Sequence, residues 1–325
     1  VTGATYEYRP GRESFLQPFY RRLIWDRIVL RLPARLSPDV LTLLGIACAA
    51  AAFAVAAFGR SEAPWPRFLT FILIFLHMSL DNLDGLHARR TGRSSARGEF
   101  LDHWLDTYNA GFVTLASCLA CRLPPGATMA MVAASSISFF AVHWAHRHTG
   151  RMWTGRVADI EVNTMAALFA FVAGVLGPGR GEPVFFLYCF GVMAGTAVTV
   201  ASVLGRVRAN RADWAPFLAA AGGIVLWYHF RPELGIPLTA LMAGLNVVCA
   251  GGAMSARLSP AGARKRPQAF LYVLLPLPVL LEILRIPVQP QLAAAAVAAA
   301  LMLAAIVRDF ISTYPKLASR GDFST

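Results

Sequence analysis

Four aspartates at positions 81, 84, 102 and 106 stand in the stretch DNLDGLHARRTGRSSARGEFLDHWLD, within a chain that is otherwise 56% hydrophobic. Asp81 and Asp84 are three residues apart and Asp102 and Asp106 four, spacings that place each pair on one face of a helix. A carboxylate at the centre of a bilayer costs roughly 3 kcal/mol on insertion scales, so four of them need something to offset that cost. The seven residues TGRSSAR between Arg90 and Gly98 make a short polar connection that turns two helices antiparallel, so the two acid pairs can face each other. Converging carboxylates repel unless a cation lies between them, and ligation by oxygen alone favours Mg²⁺ or Mn²⁺, ions that usually bind substrate phosphates. With no cysteine and no clear histidine cluster beside the acids, zinc is not expected there. Gly85, Ala88 and Gly98 leave room for a ligand close to the backbone. Arg89 supplies a permanent charge that can meet a phosphate oxygen or one of the acids. Phosphate-transfer chemistry is the expectation.

The elements that must position these residues are membrane helices. Mean hydropathy is positive and only 15% of the 325 residues are charged, which excludes an ordinary soluble domain. A span needs about 20 mostly apolar residues. Ten segments qualify, near 39–59, 67–91, 98–121, 126–146, 160–177, 183–206, 213–230, 236–256, 268–286 and 290–312, separated by turn-like breaks such as RLPPG and FRPELGIP. The expected fold is therefore all-α and polytopic, with about ten transmembrane helices. With that count both termini share a side, and 24 Lys and Arg residues fall on that side against six on the other. The asymmetry predicts cytoplasmic termini and a cytoplasmic 89–97 connection. It also explains the net charge of +12 as topology and attraction to anionic membrane lipids, and no nucleic-acid partner is expected. Residues 14–31 place Leu16, Phe19, Leu23 and Ile24 on an apolar stripe with Arg21, Arg22 and Arg27 elsewhere, as in a helix lying in the interface. No signal-peptide pattern stands out in the first 37 residues, and the first span is expected to act as the insertion signal. The five cysteines, all in or beside apolar stretches, read as packing residues. Glu282 and Asp309 are expected to pair locally, beside Arg285 and Arg308.

Asp81, Asp84, Gly85, Ala88, Arg89, Gly98, Asp102 and Asp106 match every fixed position of the spaced signature of the CDP-alcohol phosphatidyltransferase family, D-x2-D-G-x2-A-R-x8-G-x3-D-x3-D. Four further features resemble its eukaryotic-type choline and ethanolamine phosphotransferases. These are the number of spans, the start TYEYRPGRESFLQPFYRRL, the segment GEFLDHWLDT and the loop HWAHRHTG with His148, Thr149 and Gly150. Pro38 and Thr42 in LSPDVLTLLG match a Pro-Asn-x-x-Thr stretch in which Asp39 stands for the usual Asn. Where those proteins have Asn-Gly-Pro-x-Glu-Gly this chain reads ADIEVN, with Glu161 as the corresponding acid.

The resemblance implies transfer of a phosphoalcohol from a CDP-linked alcohol, of the CDP-ethanolamine or CDP-choline type, to a diacylglycerol-like lipid hydroxyl, releasing CMP. It implies Mg²⁺ or Mn²⁺ held by Asp81, Asp84, Asp102 and Asp106, with Asp106 or His103 taking the acceptor proton. Substrate contacts would come from Gly85, Ala88, Arg89, Gly98, Pro38, Thr42 and Glu161. The alternatives are a CDP-diacylglycerol-dependent enzyme with a soluble acceptor and, more distantly, a cation transporter. The expected division is an amphipathic arm at 1–37, catalytic helices at 38–180, and further helices at 181–325 for packing, acceptor access or formation of a homodimer.

Overall fold

The computed structural model describes residues 14–59, 63–150, 152, 159–177, 182–208, 211–258 and 269–317. The Tyr-x-Tyr start at residues 6–8 and Ala158 of ADIEVN lie outside the described residues. Every regular element among the described residues is helical. The order is α1 (Gln17–Tyr20), a π-helical turn (Arg21–Trp25), α2 (Asp26–Arg31), α3 (Pro38–Phe58), α4 (Trp65–Arg90), α5 (Ala96–Ala120), α6 (Pro125–Thr149), α7 (Asp159–Leu176), α8 (Glu182–Arg206), α9 (Ala215–Phe230), α10 (Gly235–Leu258), α11 (Phe270–Val273), α12 (Leu277–Ile283) and α13 (Val288–Thr313). Proline sits in the first turn of α3, α4, α6, α9 and α12, where its missing N–H has no helical partner to lose.

Each of the ten predicted segments coincides with a helix or helix pair, but seven are long and apolar enough on their own to cross a membrane: α3, α4, α6, α7, α8, α10 and α13. The other three fall short for separate reasons. Helix α5 spans 25 residues but has Arg97, Glu99, Asp102 and Asp106 in its first three turns. Helix α9 is 16 residues long. The 268–286 segment is broken at Leu274–Pro276 into α11 and α12, because Pro276 and Pro278 each remove a backbone donor.

Helix α3 packs on α4 and α5, α4 on α7, and α10 runs through the centre of the other half against α6, α13, α5 and α9. One apolar core joins Ala49, Ile74, Ala116, Met131, Ala166, Phe169 and Tyr188; a larger one joins Phe140, Trp144, Phe217, Trp227, Leu241 and Met302. Large apolar side chains also cover the outside: Phe58 is 87% exposed and Phe190 70%. Lipid facing these helices would accept such a surface, and the helices satisfy their own backbone groups. All five cysteines are free, as packing residues would be.

The arm buries residues outside its predicted stripe. Tyr20, Trp25 and Val29 turn inward to Leu41, Met78, Leu83 and Ile160, with Leu16 and Ile24 partly buried beside them, while Phe15, Phe19, Leu23 and Leu30 face out. The π-helical turn at 21–25 shifts the helical phase, so Tyr20 and Trp25 are buried while Phe19 and Leu23 of the stripe stay exposed, as apolar side chains facing a membrane interface would be. Glu282 departs from its expected pairing: its Oε1 accepts from Arg231 Nε at 2.5 Å, rather than from Arg285. Arg285, with φ 51°, lies in the turn that follows α12, whereas Arg231 ends α9, the helix against which α12 packs.

Candidate active site

Helices α4 and α5 form the antiparallel hairpin that the short connection requires. Thr91 Oγ1 donates to His87 O (2.8 Å), Gly92 takes φ 63°, and the Arg93 N–H returns to Ala88 O (2.8 Å), which closes α4. Ser95 then caps α5, its Oγ accepting from the Gly98 N–H at 3.0 Å. Through this turn Asp81, Asp102 and Asp106 each bring a carboxylate oxygen within 4.8 Å of the other two. Asp102 Oδ1 is buried without a hydrogen-bond partner among the described residues. Asp106 Oδ1 accepts from Asn109 Nδ2 at 3.3 Å. An unfilled buried acceptor in a triad of oxygens fits a hard divalent cation.

Asp84 lies deeper, 4% exposed. Its Oδ2 accepts from Thr42 Oγ1 and its Oδ1 from the Gly85 N–H, both at 2.5 Å. Thr42 thus reaches the site through a carboxylate. The stretch before α3 is stitched to the hairpin. His87 Nε2 lies 3.0 Å from Leu36 O, and Arg93 Nη1 and Arg90 Nη2 donate to Leu36 O (3.0 Å) and Leu32 O (2.5 Å). These contacts bring Asp39 against the start of α5, where a Cβ on Gly98 would meet Ser95 Oγ at 3.3 Å and Asp39 Oδ1 at 3.8 Å, while Pro38 opens α3 with its O 3.4 Å from Thr42 Oγ1. A Cβ on Gly85 would meet Arg89 Nη1 at 3.3 Å, so this glycine makes room for the guanidinium folding back along α4. Ala88, one turn from Asp84, is partly buried.

The structure separates two acids that the sequence puts together. Glu161 Oε1 accepts from Ser14 Oγ (2.5 Å) and the Leu16 N–H (2.8 Å), so it faces the arm. Asp159, two residues and about 200° earlier on α7, instead stands near enough to Asp81, Asp102 and Asp106 for direct charge interaction. Sequence reading missed it; the 200° offset was the available signal. His103 packs toward α6, with ring centroids 6.3 Å from His143 and 6.1 Å from His146, while its Nε2 stays 3.8 Å from Asp102 Oδ2. His148 does not join the cluster: its Nε2 meets Asp213 Oδ2 at 2.8 Å, and Gly150 ends α6 with φ 68°.

Residues 35–205 match the CDP-alcohol phosphatidyltransferase family. The chain belongs to this family. It is 31% identical to cholinephosphotransferase 1 of Gallus gallus over 209 residues, which is 60% of this chain and 62% of that protein. It is 28% identical to cholinephosphotransferase 1 of Danio rerio over 174 residues, 51% of this chain and 45% of that one. With choline/ethanolaminephosphotransferase 1 of Arabidopsis thaliana it shares 24% identity over 267 residues, 70% of this chain and 68% of the relative. Matches to the first two relatives span less than two thirds of those proteins. These similarities support the eukaryotic type within the family.

Proposed function

We propose that this membrane protein is a divalent-metal-dependent CDP-alcohol phosphotransferase. It would move a phosphoalcohol from CDP-choline or CDP-ethanolamine to the hydroxyl of a diacylglycerol-like lipid, with CMP as the leaving group. The observation that supports this most is the triad of Asp81, Asp102 and Asp106 at the end of a two-helix hairpin, with oxygen atoms mutually within 4.8 Å. Mg²⁺ or Mn²⁺ bound there would neutralise charge on the diphosphate. Asp81 and Asp102 would hold the ion, with Asp84 kept in place by Thr42 and the Gly85 N–H. Asp106, one turn beyond Asp102, would accept the proton of the acceptor hydroxyl, its orientation held by Asn109. Gly85, Ala88 and Gly98 would admit the cytidine diphosphate closely to the two helices, and Arg89 would meet phosphate. Glu161 would contribute by ordering the arm, and with it the lateral side of the substrate entrance.

In this reading the site and both termini face the cytoplasm, residues 38–180 hold the chemistry, and residues 181–325 serve packing, acceptor access or a homodimer. The test is a donor panel of CDP-choline, CDP-ethanolamine and CDP-diacylglycerol with diacylglycerol or soluble alcohols, read as CMP. Release is expected only with a soluble CDP-alcohol, diacylglycerol and Mg²⁺ or Mn²⁺ together. Turnover of CDP-diacylglycerol alone would move the chain to the other branch, and cation flux in proteoliposomes without any CMP release would make it a transporter.

A further inference from the structure

Beside the aspartates lies a second group of ligand atoms with different chemistry. Glu99 and His103 are four residues apart on α5, and His146 reaches them from α6; one ligand atom of each lies within 4.8 Å of the others. Glu99 Oε1 stands 3.9 Å from His103 Nδ1, 3.9 Å from His146 Nε2 and 3.7 Å from Arg257 Nη1. None of these is a hydrogen bond by distance. The Glu99 side chain is 6% exposed, and both its oxygens are buried without a hydrogen-bond partner among the described residues. Arg257 stands at ion-pair distance from Glu99 without making a hydrogen bond to it, and its Nη2 approaches Gly150 O at 3.5 Å. A buried carboxylate with an ion pair but no hydrogen bond is only partly compensated for leaving water. Two imidazoles flank it, one from α5 and one from α6.

We propose that Glu99, His103 and His146 bind a zinc-class divalent ion, at a site separate from the aspartate triad. Two imidazoles and one carboxylate suit Zn²⁺, whereas the all-oxygen triad suits Mg²⁺ or Mn²⁺. With bonds of about 2.0–2.2 Å, tetrahedral ligand atoms stand about 3.3–3.6 Å apart. The observed 3.9 Å separations need side-chain rotations of only a few tenths of an ångström. The ion joins α5 to α6 and fixes the His103 ring, whose Nε2 edge lies 3.8 Å from Asp102 Oδ2, too far for a hydrogen bond but in charge contact with that acid. His103 is then a positioning residue for Asp102, and proton transfer falls to Asp106.

This proposal stands apart from the donor's identity, because its readout is metal content. The full chain is expressed with zinc supplied, purified in detergent, dialysed against excess Mg²⁺ and analysed by elemental mass spectrometry. About one zinc per chain is expected, replaceable by Co²⁺ with the visible absorption of a nitrogen and oxygen site. Glu99→Gln and His146→Ala lower zinc about tenfold or more while Asp81→Asn keeps it. Wild-type protein with neither bound zinc nor a cobalt spectrum overturns the proposal. Full zinc in the two variants, or its loss in Asp81→Asn, overturns it as well.

Discussion

At the scale of single residues, the arrangement separates groups that hold charge from groups that hold those groups. The carboxylates of Asp81, Asp102 and Asp106 converge on one point, so Asp81→Asn with Asp102→Asn is expected to abolish CMP release without unfolding the protein. Full activity of that double variant would remove the metal assignment. Asp106→Asn is expected to keep donor binding, followed by equilibrium dialysis, and to lose turnover; parallel loss of binding would make Asp106 a ligand rather than a base. Thr42 bonds Asp84 and not the substrate side, and a hydrogen bond to a charged group is worth about 1.5–3 kcal/mol. Thr42→Val should therefore lower kcat/KM about 10- to 100-fold, with Thr42→Ser restoring most of it. The motif residues were legible because their spacing is local. Asp159 and the Glu99 group were not, because nothing in sequence separation marks a carboxylate on α7 or a histidine on α6 as a neighbour of α5.

Among the elements, the hairpin of α4 and α5 follows from local rules: a glycine with positive φ, a serine cap and acids at helical spacing. The arm does not. Its π-helical turn exchanges which residues face inward, and Tyr20 is buried because its hydroxyl pairs with Thr164 Oγ1 at 3.1 Å. Glu161 binds the arm through Ser14 and Leu16, so Glu161→Gln should loosen residues 14–25, measured as faster proteolysis within the arm in detergent. Unchanged cleavage would show that apolar contacts alone hold it. Gly223 of α9 sits where a Cβ would fall 1.8 Å from Leu274 O. Gly223→Ala should cost about 1–3 kcal/mol by overpacking and lower Tm, while leaving the aspartate hairpin intact.

Over the whole molecule, charge and apolarity act together. The excess of Lys and Arg on the side of the 89–97 connection predicts that a thiol reagent added from the cytoplasm labels Ser94→Cys and that one added from outside labels Glu233→Cys. Labelling of both from one side would overturn the topology. By itself, the sequence determined the helical class, the apolar segments and the family signature in the DNLDGLHARRTGRSSARGEFLDHWLD stretch, since each depends on composition or on spacing within a few turns. Only the tertiary structure decided that Glu282 pairs with Arg231, that Asp84 is held by Thr42, that Glu161 faces the arm while Asp159 comes into charge-interaction range of the acids, and that Glu99, His103 and His146 meet. Those contacts join helices far apart in the chain, where the phase of each helix and the packing of apolar faces choose the partners and local periodicity does not.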